Sequence, residues 1–365
     1  MPDAVPGPAD PLAELRRQID AIDEQLVKLL NDRARVVVEV GRLKHATGGA
    51  IYAPDREKRV LERVRSLNDG PLPHSAMEAI WRELMSGSFA LEKPLRIAYA
   101  GPAGNFSHAA AVRKFGSSVE YVPVGDVGTV FQGVARGHAD YGLVPMEDSL
   151  HGGLAETLDA FWTASARICA EVLIQLHLHL LAPCPWEDVK TIFASPEALA
   201  RCRRWLGQAA GGRQVIPVAD PFSAQLNVAA SRDSAILSPR SSAESPGLRL
   251  LFQSIEDNTD GVSRFFVIGR DAARRTADDK TAVMFTTAHR PGALADVLDV
   301  FKERGINLTD IEKRPSPGAK WEYYFFIDTQ GHLDDPSMTA AIDAARKHCL
   351  QLTILGSYPR AAEML

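Results

Sequence analysis

Leu15–Lys44 reads LRRQIDAIDEQLVKLLNDRARVVVEVGRLK, and its spacing decides the architecture of the first part of the chain. From Leu12 onward, Leu15, Ile19, Ile22, Leu26, Leu29, Arg33, Val36, Val40 and Leu43 alternate spacings of three and four. That is an a/d seam, and it predicts one long helix packed against partner helices. Ala53–Leu67 (APDREKRVLERVRSL) predicts a second helix with Pro54 near its start, and Pro73–Glu92 (PHSAMEAIWRELMSGSFALE) a third. A segment this short cannot bury so long a seam by itself, so a homodimer, or a multiple of dimers, is expected.

One seam position is wrong for packing. Arg33 stands where a leucine belongs, and a guanidinium there is costly unless it meets an anion. Lys44, eleven residues on, falls on nearly the same face. Arg56 and Glu57 open the second helix, and Ser88 and Glu92 share one face of the third at i,i+4. Arg16 lies about 25 Å along the axis from Arg33 and reaches a small-ligand site only from a partner's antiparallel helix. A buried polar layer that fixes helix register accounts for any one of these residues. Several cations together favour a pocket for a small dicarboxylate, because arginine pairs with carboxylates bidentately.

Composition sets the wider frame. The chain has 365 residues, 45% hydrophobic and 24% charged, which suits two or three soluble domains. A formal charge of −5 with no Lys/Arg block argues against nucleic acid, and no run of residues is long and apolar enough for a membrane span. The Pro-rich start MPDAVPGPADP has no apolar signal core and predicts a disordered tail over residues 1–11. Cys169, Cys184, Cys202 and Cys349 lack C-x-x-C spacing, as expected of reduced thiols in the cytoplasm.

After the helical segment (12–92) the periodicity changes. Over 93–271 short apolar runs (LRIAYA, VEYVPV, YGLVPM, TIFA, QVIPV, SAIL, RFFVIG) alternate with helical patterns, predicting an α/β domain with ligands at the carboxyl ends of its strands. Several turns deliver small polar residues to helix starts. Asn105 and Ser107 sit in YAGPAGNFSHAAA, and Glu147, Asp148, Ser149, His151 and Gly152 in VPMEDSLHGGLAETLDAF. Ser195 follows in FASPEALARC and Ser223 in VADPFSAQL. Each serine alone is a helix N-cap; together they suit an anion with more than one carboxylate. GVSRFFVIG (Gly261–Gly269) puts Ser263 and Arg264 at the mouth of a buried strand, followed by Phe265. His177 and His179 share a strand face, but no third metal ligand is evident, and no cofactor is expected. A polar linker (272–279) leads to β-α-β-β-α-β over 280–365, the order of a ferredoxin-like module.

These motifs carry three resemblances. Leu15–Lys44, APDREKRVLERV and SGSFALE resemble the all-helical chorismate mutase family. The resemblance implies that Arg33, Arg56 and Arg16 of a partner chain hold substrate carboxylates. It also implies that Lys44 and Glu92 address the ether oxygen, and Glu57 and Ser88 the ring hydroxyl. Ala53 replaces an acid and Glu92 a glutamine of other members. Glutamate donates to an ether only when protonated, so mutase activity is expected to fall towards high pH.

GPAGNFS, VPMEDSLHGG and SRF resemble prephenate dehydratase. That resemblance implies two α/β lobes around a cleft, with Ser263 assisting departure of the ring hydroxyl and Arg264 holding carboxylate. Asn105, Asp148, His151, Ser263 and Pro196 depart from the family pattern at matched positions. HRPGALADVLDVF and EKRP look like an ACT regulatory domain. This implies phenylalanine binding at Gly292, Ala293, Leu294, Glu312, Lys313, Arg314 and Pro315, with Lys313 in place of serine.

The order of the three is that of the bifunctional chorismate mutase/prephenate dehydratase family. It implies conversion of chorismate to prephenate and on to phenylpyruvate, with feedback inhibition by phenylalanine. Two alternatives keep the mutase. In one, the second domain decarboxylates prephenate without aromatising the ring; in the other, it only senses ligands.

Overall fold

The computed structural model describes residues 11–47, 52–148, 152–175, 177–239, 246–316 and 323–361. The seam becomes α1 (Pro11–Thr47), one unbroken helix that begins one residue inside the expected tail; the rest of that tail lies outside the described residues. α2 (Pro54–Leu67) starts on its proline, and α3 (His74–Glu92) packs on both. The outer stripe of α1 stays uncovered: Leu15, Ile19, Ile22, Leu29, Val36 and Leu43 are each more than half exposed. Within one chain α1 has too few neighbours to bury a seam of this length.

The next unit is built on a twisted mixed sheet in the order β2-β1-β3-β11-β5, with β4 (Gly152–Gly153) paired to β3. Here β1 is Arg96–Ala100, β2 Glu120–Val124, β3 Tyr141–Asp148, β5 Arg167–Gln175 and β11 Val262–Gly269. α4 (Phe106–Phe115) covers one face, and α5 (Val127–Ala135) and α6 (Ala155–Thr163) cover the other. A second sheet follows the order β10-β6-β9-β7-β8, made of β6 (His179–Ala182), β7 (Thr191–Ala194), β8 (Gln214–Pro217), β9 (Ser234–Ser238) and β10 (Arg249–Phe252). Its helices are α7 (Pro196–Arg201), α8 (Arg203–Ala209) and α9 (Pro221–Ala229). These are the two α/β lobes.

The last unit is a four-stranded sheet in the order β13-β14-β12-β15, with β12 Asp279–Thr286, β13 Leu308–Pro315, β14 Tyr323–Gln330 and β15 Gln351–Pro359. α10 (Ala293–Glu303) and α11 (Pro336–Ala345) complete the expected β-α-β-β-α-β order. Edge strand β15 lies tight against β5. A Cβ on Gly356 would fall 2.1 Å from the Ile168 carbonyl oxygen, so only glycine permits this approach.

Besides the two-residue β4, two strands went unpredicted. β5 (RICAEVLIQ) has Glu171 in the middle of an apolar run, which masks its periodicity. The carboxylate is buried because Arg264 and Lys280 neutralise it. β10 is a short, half-exposed edge strand with little patterning to read.

Candidate active sites

A cavity of about 630 Å³ opens between α1, α2 and α3. Arg33, Lys44, Arg56, Glu57, Ser88 and Glu92 all line it, as the helical spacing predicts. Arg33 Nη1 donates to Ser88 Oγ at 3.0 Å, and that hydroxyl donates to the Leu84 carbonyl one turn back. Lys44 Nζ lies 3.4 Å from Glu92 Oε2, whose side chain is almost fully buried. Burial, and then Arg56 nearby, pull the Arg33 pKa down from its usual value. A pocket that penalises its own cation in this way is relieved by an anionic ligand. Arg16 is exposed on α1, remote from the cavity of its own chain.

Glu57 is held by two residues from outside its own helix. Its Oε2 accepts from Tyr52 Oη at 2.9 Å and from Lys114 Nζ at 2.7 Å. Tyr52 is fully buried among Phe89, Phe115 and Tyr141. Lys114 comes from α4, outside the helical segment. Neither residue had a local signal, because the contact joins segments distant in sequence.

The second site forms where the two lobes meet. The starts of α4 and β11 and the end of β3 lie along one edge of the first sheet, with Ser263 opposite Asp148 in register. Ser263 Oγ accepts from Arg201 Nη2 at 3.0 Å. Arg201 ends α7, the helix that Ser195 caps, and its guanidinium lies 4.7 Å from the centre of the Phe106 ring. Ser107, the next residue of α4, is buried. Thus one arginine ties α4, α7 and β11 together. Read locally, Arg201 is only a basic residue in the last turn of a short helix, and its role was missed.

Several expected site residues have other duties. Strand alternation puts Ser263, Phe265 and Val267 on one face of β11 and Arg264, Phe266 and Ile268 on the other. Phe265 is therefore a core residue. Arg264 does not point with Ser263 into the cleft: it bonds Glu171 at 2.7 Å, Tyr358 Oη at 3.3 Å, and Asp328. Asp310 lies 3.5 Å and Glu147 3.8 Å from its Nη1. Burial pulls the Arg264 pKa down, but Tyr358, Asp328 and Glu171 outweigh it and the net shift is upward. Glu147 thus faces this ionic cluster, which joins the first sheet to the C-terminal module. Asn105 spends its amide on capping α4, accepting from the His108 N–H and donating to the Ala100 carbonyl. Ser223 is exposed, its hydroxyl held by Asp220 at 2.6 Å. Ser149 and His151 lie outside the described residues, and of Asp148 and Gly152 only the backbone is described.

His177 pairs with Glu256 at 2.6 Å while His179 Nδ1 accepts from the Ser254 N–H, so the two histidines serve separate structural contacts. Among the described residues no cluster suits a metal ion, and no helix is long and apolar enough to cross a membrane.

In the C-terminal module Gly292 takes a left-handed φ of 81° at the head of α10, followed by Ala293 and Leu294. Glu312, Lys313, Arg314 and Pro315 lie on the edge strand β13. Arg314 pairs with Asp159 of α6 at 2.9 Å, and Lys313 Nζ sits 3.8 Å from the Tyr323 ring centre. Arg314 thereby anchors the module to the first lobe.

Comparisons with known proteins follow this division. A chorismate mutase type II model matches residues 15–93, a prephenate dehydratase model 97–273 and an ACT domain model 281–347. A bifunctional chorismate mutase/prephenate dehydratase of Stutzerimonas stutzeri is 38% identical over 97% of this chain and 99% of its own. Its counterpart in Pseudomonas aeruginosa is 37% identical over 96% and 98%. A crystal structure of prephenate dehydratase from Arthrobacter aurescens in complex with L-Phe aligns with a TM-score of 0.66 at 33% identity, covering 73% of this chain and 90% of that one. These relatives favour the dehydratase over a non-aromatising decarboxylase or a silent sensing domain.

Proposed function

Since the chain belongs to the bifunctional chorismate mutase/prephenate dehydratase family, we propose that its two activities occupy the two sites just described. Chorismate rearranges in the helical cavity, and prephenate is dehydrated where Ser263 meets Arg201. The observation that carries this reading is the separation of the two residue sets, one between α1, α2 and α3 and one between the α/β lobes.

In the cavity, Arg33 and Arg56 hold the substrate carboxylates and compact the molecule for a pericyclic shift. Lys44, with Glu92, stabilises negative charge growing on the ether oxygen as the C–O bond breaks. Arg16 of a second chain completes the set, brought there by a dimer that covers the exposed stripe of α1.

At the second site, Ser263 accepts from Arg201, and its hydroxyl is the group that protonates the departing ring hydroxyl. The ring carboxylate leaves as CO₂, its bonding pair enters the ring, and water departs as the ring becomes aromatic. Exclusion of water from between the lobes favours loss of a desolvated carboxylate. Phenylalanine bound near Gly292 and β13 lowers turnover. The small soluble substrates and the free cysteines suit the cytoplasm.

The test supplies prephenate at neutral pH to the purified protein. Phenylpyruvate is the expected product; a non-aromatic acid or no turnover would overturn the assignment. Added phenylalanine should slow the reaction, and insensitivity without a thermal shift would remove the regulatory part.

A further inference from the structure

The helical cavity is not bounded by the helices alone. Tyr141 of β3, Cys169 of β5 and the segment Asp271–Arg274 after β11 close one side of it. Behind Glu57 lies a smaller cavity of about 140 Å³, lined by Lys114, Arg82, Glu171 and Arg360 among others. Glu57 lines both spaces and forms the wall between them.

We propose that the α/β domain completes the mutase site, with Lys114 as a positioning residue that aims the Glu57 carboxylate at the substrate. This rests on the assignment of the helical cavity to chorismate. The Lys114 bond and the Tyr52 bond both fall on Glu57 Oε2, which fixes the carboxylate plane from behind. Oε1 is then the oxygen that accepts from the ring hydroxyl of the substrate. Tyr52 is held in turn by the first sheet, since Tyr141 Oη donates to the Tyr52 carbonyl at 3.1 Å. A buried carboxylate is costly without a cation; the helical segment sets Lys58, Arg65 and Arg82 around the smaller cavity, but the cation that bonds Glu57 is Lys114.

On the smaller cavity Glu57 is faced by Lys58, Glu62, Arg65, Glu78, Arg82, Lys114, Glu171 and Arg360, and on the larger by Arg33, Lys44, Tyr52, Asp55, Arg56, Arg59, Glu92, Tyr141, Cys169, Asp271 and Arg274. Burial pushes Tyr52 and Tyr141 up and the Cys169 thiol to about 12, so all three stay neutral near pH 7. Lys114 is therefore the cation that bonds Glu57 directly, while Arg82 acts only through space.

The test uses the full chain and both assays. Lys114→Met is expected to lower mutase kcat/KM about 10- to 100-fold, mostly in kcat, because misaimed groups cost that much. Dehydratase kcat/KM should stay within about twofold, and mutase KM should change far less than kcat. Lys114→Arg should restore the rate. In a Glu57→Gln background, Lys114→Met should have almost no further effect on the mutase. Parallel loss of both activities, no rescue by Lys114→Arg, or an undiminished effect in the Glu57→Gln background would overturn the proposal. Failure of the cavity assignment is read separately, from Arg33→Ala: undiminished mutase activity there would place the reaction elsewhere.

Discussion

Ser263 and Arg264 are neighbours in β11, yet the hydroxyl accepts from Arg201 in the cleft while the guanidinium turns to Glu171 and Asp328 on the opposite face. The two halves of one motif thus serve different purposes. Ser263 faces the proposed dehydratase site, and Arg264 fastens the first sheet to the C-terminal module.

The cleft residues should fail selectively. Ser263→Ala removes the proton donor and should cut dehydratase kcat about 10²- to 10⁴-fold while leaving chorismate turnover intact. Arg201→Met should also lower dehydratase kcat, by releasing the Ser263 hydroxyl and the packing on Phe106. Steady-state assays with each substrate separate these effects.

Arg264 should act on stability first. Burial pushes the Glu171 carboxyl up, but Arg264 and Lys280 outweigh that and hold it below its usual value. Arg264→Met leaves Glu171 and Asp328 to share Lys280 alone in the junction and should cost about 3–5 kcal/mol in denaturant unfolding. A change below about 1 kcal/mol would mean that water already screens the cluster.

Asp310 gives the junction a pH dependence. Burial, and then the charge of Glu147, raise its carboxyl to about 6, despite Arg264. The folded state therefore binds this proton more tightly than the unfolded chain, whose reference value is about 3.9. Its contribution to stability is full at acid pH and is lost as pH rises through about 6. Asp310→Asn should accordingly raise stability by on the order of 2 kcal/mol at slightly alkaline pH, by about half of that near pH 5 and by little below about pH 4. Thermal melts of both proteins across that range check it.

Glu92 should report on contact with the ether oxygen. A carboxyl donates to an ether only through its O–H, whereas an amide always carries donors. Glu92→Gln is expected to keep mutase turnover at or above that of the parent, whereas Glu92→Ala should lower kcat about 10²- to 10³-fold. Equal loss in both variants would remove Glu92 from contact with the ether.

What could be read from the sequence was what repeats locally. The three-four spacing of Leu15 to Leu43 gave α1, and the same helical arithmetic placed Arg33, Lys44, Ser88 and Glu92 on one cavity. Period-two alternation also separates Ser263 from Arg264, but motif resemblance alone had sent both to the substrate. Lys114, Arg201 and Glu171 carried no signal, because each gains its meaning from a partner in another element. Glu171 even hid β5, since a charge inside a strand reads as a break until its buried cations are known.

The central claim is that one chain holds two independent sites. The most direct measurement is kcat/KM for chorismate and for prephenate on Arg33→Ala and Ser263→Ala side by side. The account predicts a crossed result: Arg33→Ala loses the mutase and keeps the dehydratase, and Ser263→Ala does the reverse. If either variant lost both activities while remaining folded, or if Ser263→Ala still formed phenylpyruvate at the parent rate, the account would be contradicted.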